Sequence, residues 1–163
     1  MSSFALHFDT IILIGMGLSF LLNLFFYVSN INKQVSLLIT SGVMAVSYFT
    51  SNHLFLMDNT SWVYLDWIMY DIVTILIIYA FHKVKSVEFS TAAYYVFFGL
   101  TINTLLFAGM LFDTIALDEK EPWFFWYLYT FTVNTVDIIM ISVLILNRDF
   151  LLLKRLKFLY KNE

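Results

Sequence analysis

The sequence predicts an all-α, polytopic integral membrane protein: a bundle of five transmembrane helices with the N-terminus outside and the C-terminus cytoplasmic. Three observations predict it. Of 163 residues, 61% are hydrophobic and 13% charged, with a mean hydropathy of +0.81, whereas soluble domains carry about 25% charged residues. Five apolar segments, approximately 10–28, 35–57, 62–81, 89–112 and 122–146, approach or exceed the roughly 20 residues that a helix needs to cross about 30 Å of hydrocarbon. Lys and Arg, finally, are one-sided. Lys33, Lys83, Lys85, Arg148, Lys154, Arg155, Lys157 and Lys161 fall on one face of a five-span chain and only Lys120 on the other, and the positive-inside rule puts the rich face in the cytoplasm.

Segment 10–28 carries no charge. Gly15, Ser19 and Asn23 recur every four residues along it and share one helical face, the pattern of a close helix–helix contact. The opening MSSFALHFD lacks the basic start of a signal peptide and no small-residue cleavage site follows the apolar run, so this span is expected to be retained. Segment 35–57 places Thr40, Ser47 and Ser51 on a common face and leads to His53 and Asp58.

Segment 62–81, WVYLDWIMYDIVTILIIYAF, is the one on which the rest depends. Asp71 lies close to its middle, with Asp66 about a turn and a half nearer Trp62. A carboxylate at the centre of a spanning helix costs about 2.5–3.5 kcal/mol on insertion scales, against about 0.3–0.6 gained per Leu, Ile, Val or Phe. Two acids cancel much of the apolar gain, so this helix needs neighbours and its acids should face them. His82, Lys83 and Lys85 close it.

Segment 89–112 holds Asn103 near mid-depth and ends at Asp113. The charged turn LDEKEP follows, and its Pro122 suits the first position of a helix, where a missing N–H costs nothing. Segment 122–146 carries Thr130, Asn134 and Asp137 on one face at i, i+4 and i+7. The chain thus divides into a bundle, 1–147, and a basic amphipathic tail, 148–163. In the tail Leu152, Leu153, Leu156, Leu159 and Tyr160 recur at helical spacing between Lys154, Arg155, Lys157 and Lys161, as in a helix lying at a membrane surface.

Asp66, Asp71 and Asp137 are the acids within the apolar segments, and no Lys or Arg lies there to answer them. They must be protonated, hydrogen-bonded by neighbouring Asn, Thr, Ser and Tyr, hydrated in a cavity, or bound to a cation. Asp71, Asp137, Asn103 and Asn134 all fall near mid-depth, so one polar cluster inside the bundle is expected. Ionisable groups in membranes are functional candidates by default; a hydrogen-bonded lock that fixes helix packing is the structural alternative. Trp62, Tyr64, Trp67, Trp123, Trp126, Tyr127 and Tyr129 gather at the outer ends of two spans and read as an interfacial aromatic belt, or, less simply, as a cage for a cation. His53 and His82 sit at opposite ends of the spans and read as surface residues.

No cysteine is present, no histidine pair is placed to hold haem, no mid-span lysine could carry a Schiff base, and no hydrolase, metalloprotease or nucleotide-binding motif occurs. The expectation is therefore a protein without catalytic residues, metal or cofactor, and without a nucleic-acid partner. With 5 Gly and 1 Pro, the latter at a helix start, the chain lacks the broken helices of rocking carriers. The leading expectation is a small, oligomeric inner-membrane protein forming a proton or cation pathway through Asp71, Asp137, Asp66, Asn103, Asn134 and Thr130. The alternative is a non-transporting accessory, sensory or immunity-type subunit that docks a membrane partner through its spans. In that reading Lys154, Arg155, Lys157 and Lys161 contact a cytoplasmic protein or anionic lipid.

Overall fold

Backbone polar groups in hydrocarbon must be satisfied within the chain, which leaves helices or closed barrels. The computed structural model describes the backbone of residues 3–54, 62–115 and 123–149, and their side chains from residue 8 onward. Among these residues the chain is all helical: α1 Ser3–Val28, α2 Val35–His53, α3 Val63–Lys85, α4 Thr91–Ile115 and α5 Phe124–Leu146. The tail positions Lys154, Arg155, Lys157 and Lys161, with Lys120 and Pro122, lie outside the described residues.

Helix ends depart from the expected limits for local reasons. No Gly or Pro interrupts the chain from Ser3 to Thr10, so α1 starts about two turns early. α2 stops at His53 rather than 57, where Leu54 turns extended (φ −121°). α3 runs on to Lys85 and is closed by Ser86 in the left-handed region (φ 51°), whose N–H reaches back to the His82 and Lys83 carbonyls. Asn147 (φ 48°) closes α5 in the same way.

Four helices, α1 from Phe8, α3, α4 and α5, are long and apolar enough to span a membrane, which marks a multi-pass membrane protein. Their outward faces agree. Ile11, Ile14, Leu18, Leu21, Phe25 and Val28 form an exposed stripe on α1, as do Phe124, Tyr127, Phe131 and Ile138 on α5. Water would not tolerate apolar faces of this extent, and lipid does.

α2 is not one of the four, being rich in Ser and Thr. Its place explains this. Successive helices pack side by side and α5 closes back on α1, but α2 also reaches α4 and α5 and so touches all four others. A helix sheltered by its neighbours can carry hydroxyls that a lipid-facing helix cannot. Small residues set the approaches: Gly15 of α1 lies against Ile141, Gly42 of α2 against Phe20, and Gly99 of α4 against Met140 and Val136. The expected contact face of α1 is thus its seam with α5, where Asn23 Nδ2 donates to the Leu144 carbonyl (3.0 Å).

Candidate functional site

Four helices place polar side chains at one level. Asp137 Oδ1 on α5 accepts from Tyr48 Oη on α2 (2.6 Å) and from Asn103 Nδ2 on α4 (2.9 Å). Among the described residues, Asp71 on α3 takes only a long contact, 3.4 Å, from the Thr104 hydroxyl. Beside it Ser47 and Thr74 share a hydrogen bond (2.5 Å), and Thr74 also donates to the Tyr70 carbonyl (2.6 Å). Asp71 and Asp137 are buried, 8% and 4% exposed, and Asn103 is 1% exposed. Asn103 Oδ1 has no hydrogen-bond partner among the described residues, a costly state for a buried acceptor.

Of these groups Asp71, Asp137, Asn103, Tyr48 and Ser47 form the floor of a cavity of about 220 Å³. Its walls are aromatic: Trp67, Tyr70, Phe107 and Tyr129 join Tyr48 in the lining. Trp67 and Phe107 stand 5.2 Å apart between ring centroids and Phe107 and Tyr129 6.0 Å, so the three rings form one contiguous panel of mutually inclined faces. Asp9, Ser51 and Asn52 line the mouth, of which Asp9 and Asn52 are exposed. Among the described residues no Lys, Arg or His contributes to the lining.

About one turn beyond the floor residues, away from the mouth, the buried side chains are Met16, Met44, Leu100 and Met140, all in one apolar cluster. Below that layer a polar latch ties the helix ends. Ser36 Oγ lies 2.7 Å from His82 Nε2 and accepts the Ser90 N–H (2.8 Å), while His82 Nδ1 meets the Ile78 carbonyl (2.7 Å). Nδ1–H donating to that carbonyl leaves Nε2 to accept from the Ser36 hydroxyl. Asn147 adds a second tie, donating to Gln34 Oε1 (2.5 Å) and accepting the Ala92 N–H (3.2 Å).

The expected cluster members are placed as follows. Asp71, Asp137 and Asn103 meet at the floor. Thr130 and Asn134 line the wall, but their donors turn to their own helix, Thr130 Oγ1 to the Trp126 carbonyl and Asn134 Nδ2 to the Thr130 carbonyl. Asp66 is buried, at 1% exposure, and does not line the cavity. His82 is likewise buried, at 2% exposure, because the latch and the stacked Phe89 ring enclose it. Of the expected belt, Trp62 and Tyr127 do face outward, whereas Tyr64 is buried and Trp67 and Tyr129 turn inward as cavity walls. Trp123 and Trp126 also tie two helices together. Both indole N–H groups donate to Asp113 (3.0 Å each to Oδ2), clamping the end of α4 to the start of α5.

Tyr48 and Asp9 are among the lining residues that escape a reading of the sequence. Tyr48 looks like one more aromatic in an apolar run, although its position next to Ser47 on the hydroxyl-bearing face is a usable signal. Asp9 falls just outside a first span whose expected start is residue 10. Among the described residues no group of three or more His, Cys, Asp or Glu is placed to hold a metal ion. No protein-family model, curated protein or solved structure matches this chain.

Proposed function

We propose that all five helices cross the membrane, α2 within the shelter of the others, with the N-terminus outside and the C-terminus cytoplasmic. In this arrangement the cavity opens outward, and the chain is a cation-handling protein that admits a proton or another monovalent cation from that side. The observation that carries the reading is the meeting of Asp71 and Asp137 on one cavity of about 220 Å³ whose described lining holds no basic side chain. A carboxylate so placed is answered by a proton or a cation from outside the chain. Asp137 already has two donors on Oδ1, so the sparsely bonded Asp71 is the group with room to exchange its partner.

Passage to the other side then requires the layer of Met16, Met44, Leu100 and Met140 to part. Flexible, unbranched Met side chains suit such a movement. Purified full-length protein in liposomes under an imposed potential tests the reading, with a pH dye for protons and a sodium dye for sodium. The parent should carry one of the two above protein-free liposomes, and Asp71→Asn should abolish most of that flux while keeping its helical content. Parent vesicles no leakier than empty ones, or an Asp71→Asn variant as active as the parent, would refute the proposal.

A further inference from the structure

We infer that the cavity is a binding site for a small organic ammonium ion with an apolar body. Its charged nitrogen sits among Asp71, Asp137 and Asn103 Oδ1, and its body lies against Trp67, Phe107 and Tyr129. The inference rests on the cation reading above and names the class of cation. Four observations lead to it.

The first is size. An engineered apolar cavity of about 150 Å³ takes up benzene, so a cavity of about 220 Å³ accommodates a ring with a short charged arm. A bare alkali ion would leave most of that space empty.

The second is the unanswered acceptor. Asn103 lines the cavity, and its Oδ1, almost wholly buried, has no partner among the described residues. It needs an N–H or O–H donor, and an ammonium group brings up to three. Asp71, with one long contact, needs another.

The third is the wall. Aromatic faces attract cations within about 6 Å of the ring centre, by about 2 kcal/mol or more where water is excluded. The panel of Trp67, Phe107 and Tyr129 also gives an apolar body a surface that a simple metal ion would not use. The absence of a three-residue metal-ligand set among the described residues points the same way.

The fourth is access. Asp9 and Asn52 stand exposed at the mouth, so a cation from water meets a negative, polar rim before the aromatic wall.

The test uses the full chain in a maltoside detergent, which itself carries no ammonium group, and titrates benzylammonium against benzyl alcohol by calorimetry. The two probes share ring and reach and differ in charge. Benzylammonium should saturate at one per chain and bind about tenfold or more tightly than the alcohol, and Asp71→Asn should remove most of that advantage. Trp67→Leu, which leaves both carboxylates in place, should weaken benzylammonium as well. Equal binding of the two probes by the parent protein, or no saturable binding of either, overturns the inference without reference to any variant. Asp71-dependent proton or sodium flux without benzylammonium binding overturns the ligand class and leaves the cation reading standing. Benzylammonium binding without flux supports the site and overturns transport.

Discussion

Tyr48 donates its phenol to Asp137 across 2.6 Å, joining α2 to α5, a pair of helices otherwise in sparse contact. The bond does two things at once. It holds the inner helix against the one that carries the acid, and it occupies one carboxylate oxygen so that the acid faces the cavity in a defined orientation. Hydrogen bonds between membrane helices are worth about 0.6 kcal/mol on average and up to about 1.7, and an acidic acceptor puts this one toward the upper end.

A double-mutant cycle measures it. Tyr48→Phe should destabilise the bundle by about 1 kcal/mol, and the coupling with Asp137→Ala should lie between about 0.6 and 1.7 kcal/mol. Unfolding in mixed micelles with rising dodecyl sulfate gives both numbers. A coupling near zero would mean that the two groups do not share a bond in lipid.

The Ser36 latch makes a different prediction, because one hydroxyl serves two partners. Ser36→Ala strands His82 Nε2 in a buried site and the Ser90 N–H in a half-buried one, a loss of about 1–3 kcal/mol. Ser142, whose hydroxyl bonds the Ile138 carbonyl of its own helix, is the control. Ser142→Ala should change stability by less than about 0.5 kcal/mol. If the two variants unfold together, the latch contributes nothing beyond its geometry.

How much of this is legible in the residues depends on whether the signal is local. Membrane character is additive along the chain, so the five helical segments stand out. The pairing of Asp71 with Asp137 is approachable because a buried acid has to face the interior wherever the interior lies. Asp66 obeys the same rule and is buried too, but whether an acid meets a cavity or packed side chains depends on which helices flank it, which a single chain does not encode locally. His82 shows the limit most plainly. Beside Lys83 and Lys85 it looks like a surface residue, and only the folding-back of Ser36 and Phe89 encloses it.

Packing at the glycines yields predictions of opposite sign. An added Cβ at Gly99 would meet Met140 Sδ at 2.5 Å and Val136 Cγ1 at 3.1 Å, whereas at Gly17 it would meet nothing within 4 Å. Ala is a better helix former than Gly by about 1 kcal/mol, and overpacking costs about 1–3 kcal/mol. Gly99→Ala should therefore destabilise by about 1 kcal/mol, while Gly17→Ala should be neutral or stabilising by up to about 1 kcal/mol. The same detergent titration distinguishes them, and a Gly99→Ala protein as stable as the parent would show that the Met140 side chain gives way to the added methyl.

The wetness and direction of the cavity can be read chemically, since the chain has no cysteine of its own. Maleimides attack the thiolate, which forms where water reaches the sulfur. Along α2, Asn52, Ser51 and Ser47 line the cavity from its mouth inward, while Val46 and Phe49 face away from it and are exposed. Single cysteines at the first three positions should react with a membrane-impermeant maleimide in the order 52, 51, 47, and those at 46 and 49 should stay silent in lipid. In right-side-out vesicles the same reagent should miss a cysteine at Ser86, which caps the opposite end of the bundle. Reaction at 86 but not at 52 would invert the orientation. Uniform silence at 47, 51 and 52 would mean that the floor carboxylates close on one another without water, and the acids would then be a packing lock rather than a site.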